Sequence, residues 1–378
     1  MGKRESIVFT DSSMNIGGQE LQALQQMRSL SQAGFETLLL CKPRSAIAKR
    51  ANEDGIAVQQ IRFRNAFHLP SFTKVIRIIR DKKPSALICH GSHDALICAL
   101  AAKWATFFYS QHTAIFRIKT FQYGYPLSFS YNHLFTATLT PSSYLRSKFL
   151  VNPAIDSRKI KVLYPGIDFF RLAKNDDPLP IHLQEWLTGH PGPIIAHAAI
   201  LRGEKGHSIL LRALFEVKKT HPDIRYVIAG EGQEKPLLER MIGELGLGEN
   251  VFLAGILQNI APLLKVSDIA VLPSLAEPLG MFQIEAQHLE VPTIVSDAGG
   301  IPETIIHQKT GLIVEAGNIQ QWANAIIWTL DHPDEAKQMA KVGSEFVLAK
   351  FSLESNTAQL IELIQSRCIT KRETFKST

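Results

Sequence analysis

The chain has 378 residues, 45% of them hydrophobic and 20% charged, with 24 Gly, 19 Pro and a formal net charge of +6. That balance excludes a disordered chain, and the length exceeds one ordinary hydrophobic core, so two domains are expected. No stretch approaches the roughly 20 apolar residues of a membrane helix, residues 7–9 are too short for the apolar core of a secretory leader, and Cys41, Cys89, Cys98 and Cys368 lack metal-ligand spacing, so a cytoplasmic chain with free thiols is expected.

In chain order, short apolar runs bounded by turn residues predict buried parallel strands at 6–9, 37–41, 58–62, 86–90, 107–110, 136–140 and 160–164. Leu21, Leu24, Met27 and Leu30 predict an amphipathic helix over 19–33. Residues 172–192, with Pro178, Pro180 and Pro191 among polar neighbours, read as a linker. The alternation then resumes, with strands at 194–198, 225–229, 251–254, 268–273, 293–296 and 311–314. Helices are predicted at 208–220, 235–245, 260–266, 280–289 and 319–330, and a last one from 353 to 364. This is the α/β pattern of two doubly wound, Rossmann-like domains, which bind ligands beyond the carboxyl ends of their strands; with those ends facing, they would enclose a central cleft. Residues 1–175 hold 24 Lys/Arg against 10 Asp/Glu, and residues 176–378 hold 17 against 25. A basic first half suits nucleic acid, an anionic membrane surface or an anionic substrate.

Loops after strands carry the chemistry. Gly17 and Gly18, between the first strand and the first helix, allow backbone approach to a ligand; a plain tight turn fits equally, and the spacing is not that of a dinucleotide fingerprint. Arg202 and Lys205, in Leu201-Arg202-Gly203-Glu204-Lys205-Gly206-His207, can clamp a diphosphate, one as a planar donor fork and the other as a point charge. Glu277 and Glu285 lie eight residues apart across a loop and a helix start, with Pro278 at the helix entry and Gly280 leaving room for a ligand. Carboxylates accept hydrogen bonds from sugar hydroxyls, and the amides of Gly280, Met281 and Phe282 can hold phosphate oxygens. A further glycine turn, Asp297-Ala298-Gly299-Gly300-Ile301-Pro302-Glu303, follows the next strand. Several such loops on one domain point to a phosphorylated ligand.

These residues resemble the retaining glycosyltransferases of group 1 (family 4), which have the GT-B fold. Glu277 and Glu285 match that family's E-x7-E motif, and Asp297 to Glu303 its glycine turn. Gly230-Glu231-Gly232 matches its G-[DE]-G turn, and Tyr164-Pro165-Gly166-Ile167-Asp168 its P-N-G-[IV]-D signature with the Asn replaced. The resemblance implies that residues 172–350 bind a nucleotide-diphospho-sugar, a UDP-sugar by preference. Glu285 would then hold the ribose, Glu277 a hydroxyl of the donor sugar, and Arg202 and Lys205 the departing diphosphate. Gly17 and Gly18 would approach the donor phosphates from the other domain, and His112 would match the histidine near the reacting carbon. On its residues alone His112 reads as a satisfied core or surface histidine. Two departures stand out: Ile200 occupies the usual Arg position, with Arg202 substituting as in lipopolysaccharide-core enzymes, and Leu279 replaces an aromatic residue. No D-x-D pair occurs, so a metal clamp is not indicated and no cofactor is expected. The implied reaction is front-face attack by an acceptor hydroxyl, with a donor phosphate oxygen taking the proton.

Residues 1–171, completed by a helix at 351–378, are left for the acceptor. The basic amphipathic stretch 71–83 and the aromatic stretch 107–135 (Phe116, Phe121, Tyr123, Tyr125, Phe129, Tyr131) fit an anionic membrane surface and a lipopolysaccharide-type acceptor; core packing with a solvated basic face fits as well. His93 and Asp94, after another strand, could meet acceptor hydroxyls. A nucleotide-sugar epimerase and a non-catalytic nucleotide-sugar binder are the alternatives. Nucleic-acid binding would leave the glycine turns of the acidic half idle.

Overall fold

The computed structural model describes residues 4–65, 68–121, 128–174 and 176–374, the side chains of 367–374 excepted. Tyr123, Tyr125 and the Cys368 side chain therefore lie outside the described residues. The chain divides into two units, Met1–Ile167 with Ser352–Thr378, and Asp168–Phe351.

The first unit runs β1 (Ser6–Asp11), α1 (Gly18–Gln32), β2 (Glu36–Cys41), α2 (Ala46–Glu53), β3 (Val58–Gln60), α3 (Leu69–Lys82), β4 (Ala86–Cys89), α4 (Ser92–Tyr109), β5 (Ala114–Ile118), β6 (Ala137–Thr140), α5 (Ser143–Leu150) and β7 (Ile160–Val162). Its seven strands lie in the order β3-β2-β1-β4-β5-β6-β7, and every pair is parallel. Successive side chains of a strand point to opposite faces, and both faces of β1 are buried. Ile7 and Phe9 pack with Leu24, Met27 and Leu30 of α1, while Val8 packs with Leu87, Val75 of α3 and the buried alanines of α4.

The second unit runs α6 (Phe169–Ala173), α7 (Ile181–Gly189), β8 (Ile194–Ala198), α8 (His207–Val217), β9 (Arg225–Ala229), α9 (Lys235–Glu244), β10 (Val251–Gly255), α10 (Ala261–Lys265), β11 (Ile269–Leu272), α11 (Phe282–His288), β12 (Thr293–Ser296), β13 (Leu312–Val314), α12 (Ile319–Asp331) and α13 (Pro333–Phe351). Its six strands are also parallel, in the order β10-β9-β8-β11-β12-β13. One face is filled by Leu210, Leu214, Trp322 and Ile326, the other by Leu183, Leu263, Leu264 and Phe282. The last helix, α14 (Leu353–Thr374), belongs to the first unit. Leu360 and Ile364 enter the α1 core, and the Asn356 amide joins the Gln26 side chain at 2.9 Å and the Tyr164 carbonyl at 2.6 Å.

Two expectations are corrected. Residues 107–110 are not a strand: 107–109 close α4, and Ser110 caps it in the left-handed region at φ 50°. The aromatic run has strand propensity, but the helix starts at Gly91, whose N–H the Asp94 carboxylate accepts at 3.2 Å, and continues through its buried alanines. Residues 172–192 are not a bare linker, because Pro180 leads into α7 and Leu183 is fully buried in the second unit. The boundary falls ahead of that stretch, at Ile167/Asp168.

Candidate functional site

In the second unit β8 continues to β9 and β10 on one side, then the chain crosses to β11 on the other. The helices that follow β8 and β11 therefore pack on opposite faces of the sheet, and the crevice at the carboxyl ends of these strands is where such a sheet takes a ligand. The loops after both strands carry residues singled out by their sequence. Lys205, after β8, donates from Nζ to Glu277 Oε2, after β11; the two side chains are 18% and 14% exposed. Seventy-two residues separate them, and the fold makes them an ion pair.

Close backbone contacts set this geometry. Gly206 has φ +74°, and a Cβ there would overlap the carbonyl oxygen of Pro273 in the facing loop. The Leu275 N–H also donates to the Glu204 carbonyl at 2.7 Å. The glycine turns beside the site are braces. Gly299, φ +62°, lies so near Glu277 that a Cβ would strike its carbonyl oxygen, which accepts the Gly300 N–H at 3.0 Å. A Cβ on Gly230 or Gly232 would likewise strike the carbonyls of Ala199 or Leu201. Packing thus accounts for these turns without a phosphate at each of them.

Arg202 lies on the exposed rim, its guanidinium 3.9 Å from Glu204. Glu285 sits in the first turn of α11. Burial pushes its carboxyl up to about 7, and among the described residues its side chain has no hydrogen-bond partner. The amides of Gly280, Met281 and Phe282 precede it on the same loop-to-helix junction. Leu279 faces inward, 3% exposed, and its carbonyl accepts the Gln283 side-chain amide at 2.8 Å, so the replacement there is a packing feature.

Beside Lys205 lie His207, the last residue of its loop motif, and His197 of β8, neither given a role from the sequence. His197 of β8 and His207 of α8 stack at 4.3 Å, and His197 Nδ1 lies 2.7 Å from the Tyr226 hydroxyl. Burial and then Lys205 lower the His207 imidazole to about 4, and burial, His207 and Lys205 hold His197 well below its ordinary range. Both rings are neutral near pH 7, a polar floor that leaves Lys205 the local cation. A histidine inside a buried strand was the signal.

In the first unit the order reverses between β1 and β4. Gly17 and Gly18 lie beside that point; Gly17 is extended at φ −143°, and a Cβ on Gly18 would meet nothing within 4 Å. Neither glycine is required by strain or packing, and the space above them is open. Asp11, at the end of β1, is buried, which pushes its carboxyl up to about 7 with Asp94 and Glu20 adding to the rise. His93 is exposed in the first turn of α4. Asp94 is corrected: it is fully buried and accepts from the Thr10 hydroxyl at 2.6 Å, the Ser12 hydroxyl at 2.8 Å and the Gly91 N–H, which leaves it a positioning residue for this loop. His112 is corrected too. It precedes β5 and so lies at the amino edge of the sheet, opposite the ligand edge; Lys119 and Thr120 stand after β5 instead. The reason is that residues 107–109 close α4 rather than form a strand ahead of it. Among the described residues no group of three or more His, Cys, Asp or Glu could hold a metal ion, and no helix is long and apolar enough to cross a membrane.

Comparison with known proteins follows this division. Residues 181–346 match the family model "Glycosyl transferases group 1" and residues 16–171 match "Glycosyltransferase Family 4". A GDP-mannose-dependent alpha-(1-6)-phosphatidylinositol monomannoside mannosyltransferase of Mycolicibacterium smegmatis is 29% identical over 235 residues, 60% of this chain and 61% of that protein. The chain thus spans less than two thirds of that relative's length. A glycosyltransferase from Rickettsia africae superposes with a TM-score of 0.84 at 21% identity, covering 97% of this chain and 99% of its own. Anabaena HepE in complex with UDP superposes with a TM-score of 0.81 at 20% identity, covering 96% and 100%. At these identities the two structures establish the fold, two Rossmann-like units of GT-B type.

Proposed function

We propose, for a chain that belongs to the group 1 glycosyltransferases, that it moves a sugar from a nucleotide-diphospho-sugar to a hydroxyl of a glycan or glycolipid, with retention and without a metal. The observation that carries this reading is the Lys205–Glu277 pair at the β8/β11 switch point, with the unpartnered Glu285 carboxyl on the following helix. Lys205 and Arg202 stabilise the charge that grows on the leaving diphosphate. Glu285 accepts from the ribose hydroxyls. Glu277 accepts from a sugar hydroxyl and orients Lys205. An acceptor hydroxyl attacks the anomeric carbon on the face from which the diphosphate departs. Its proton passes to a diphosphate oxygen, so no protein nucleophile and no cofactor beyond the donor is required.

HepE, crystallised with UDP, supports uridine as the base; the mycobacterial relative is named for GDP-mannose, so the nucleotide is the quantity to measure. Thermal melting against UDP, GDP, ADP and NAD tests the donor site. A ligand at about 100 times its dissociation constant adds about 2.7 kcal/mol, a clear melting shift. Stabilisation by UDP supports the reading, and stabilisation by GDP alone transfers it to a guanosine donor. No shift with any diphosphate, or a shift with NAD alone, overturns it.

The acceptor we assign is a glycolipid of lipopolysaccharide type, reached from the cytoplasmic face of a membrane. The membrane contact has its support in the outer face of α4, where Trp104, Phe107, Phe108 and Tyr109 are exposed, Phe107 to 81%, and the Trp104 and Phe108 rings lie 4.1 Å apart. Helix α3 packs alongside with Lys74 and Arg77. Aromatic rings beside cations suit an anionic interface. Co-sedimentation with anionic vesicles at low salt is expected, and Phe107→Ser with Phe108→Ser is expected to abolish it. Failure of the unaltered protein to co-sediment overturns the membrane assignment and leaves the donor site untouched.

A further inference from the structure

The carboxyl end of β5, in the first unit, carries a second cationic feature besides the Lys205 loop of the second unit. Arg117 lies on β5 and Lys119 just after it, two residues on and so on the same face. Arg117 is 9% exposed. Its Nη2 is 3.4 Å from the Ser92 hydroxyl, at the first residue of the 18-residue helix α4. Its guanidinium lies against the Tyr131 and Phe135 rings, 5.6 and 5.2 Å from their centroids, and its buried Nε has no hydrogen-bond partner. Lys119 is partly buried, and burial and then Arg117 hold its ammonium below the ordinary lysine range. Neither cation is paired with a carboxylate among the described residues.

The acids at this sheet edge are already engaged. Asp94 accepts from Thr10, Ser12 and Gly91, Glu20 from the Gly17 N–H at 2.9 Å, and Asp11 from the Ser13 N–H at 2.6 Å. Residues 95–155 contain no Asp or Glu at all, against Lys103, Arg117, Lys119, Arg146 and Lys148. Two neighbouring cations, one of them almost wholly buried, carry a desolvation cost that an anion with several acceptor oxygens offsets. The first-turn amides of α4 favour the same charge.

We propose that Arg117, Lys119, Ser92 and the amino end of α4 form a phosphate site, separate from the donor diphosphate, that holds a phosphate group of the acceptor. The word acceptor rests on the transferase reading; the phosphate site itself does not. Calorimetric titration of inorganic phosphate into protein saturated with UDP tests it, because UDP fills the Lys205 site and any further phosphate heat reports another one. Phosphate is expected to bind beyond a chloride control of equal ionic strength. Lys119→Met is expected to weaken it by at least about tenfold, Lys119→Arg to restore it, and neither to change UDP affinity. No phosphate heat above the chloride control, or equal binding by the unaltered protein and Lys119→Met, overturns the proposal. If UDP itself fails to bind, the donor reading falls, while comparing phosphate binding by the unaltered protein and Lys119→Met still decides this one.

Discussion

Lys205→Met is expected to weaken nucleoside-diphosphate binding by about 10–100-fold, the worth of one or two charge-assisted hydrogen bonds, and to lower turnover by about 10²–10³-fold. The larger effect on turnover follows from where charge appears. In the ground state the oxygen bonded to the sugar carries no formal charge; as that bond breaks, negative charge grows on it, and on the proposed reading Lys205 faces that oxygen. The same substitution strands Glu277, which is only 14% exposed and has Lys205 as its ion-pair partner. A loss of fold stability of a few kcal/mol is therefore also expected, and a melting curve without ligand measures it. Glu277→Gln separates the two roles. It releases Lys205 from its pair, so UDP affinity is expected to hold or tighten while transfer falls. Equal turnover by the unaltered protein and Lys205→Met would remove the ion pair from the chemistry and leave it a fastener between two loops.

The order of strands and helices in the second unit was legible because its punctuation is local. β8, β9 and β12 are apolar runs closed by turns, and the structure places all three at the residues expected. Elements were missed where tertiary contacts override composition. Residues 107–109 look like strand, but their rings are exposed on a helix whose start, fifteen residues before Phe107, is set by Gly91 and Asp94. Residues 172–192 look like linker, yet Leu183 is drawn into a core made by β8 and α10. At the candidate site the residue types at 202, 205, 277 and 285 could be read, but the pairing of Lys205 with Glu277 could not, since it depends on two loops 72 residues apart meeting at one switch point. Nor could the work of the glycines be read. Gly206 and Gly299 are required by neighbouring carbonyls, whereas Gly17 and Gly18 meet no such requirement and leave room above α1. Composition could not distinguish these two kinds of glycine.

Glu285 supplies the second large effect, and pH reads it. Its carboxyl stands at about 7 in the ligand-free protein because burial disfavours the charged form. Ribose hydroxyls donate hydrogen bonds, so a nucleotide held by Glu285, as proposed above, would select the ionised carboxylate and expel a proton from the protonated fraction. UDP affinity is therefore expected to rise by about tenfold between pH 6 and 8, following the ionised fraction of a group with that pKa. Glu285→Gln is expected to bind weakly at every pH and to lose the dependence, and 2′-deoxy-UDP is expected to show a smaller rise than UDP. The stability of the free protein must move the other way. The folded state holds this proton above the ordinary carboxylate pKa of 4.5, so the stability contribution is complete below 4.5 and is lost as pH rises through about 7. Glu285→Gln is thus expected to melt higher than the unaltered protein at pH 8 and alike at pH 4. With that pKa the empty site holds Glu285 about half protonated at pH 7, so the proposed nucleotide capture is expected to release about half a proton there, and calorimetry in two buffers of different ionisation enthalpy counts it. A count of zero at pH 7 would mean that Glu285 is already ionised, or that the ribose is held by another group.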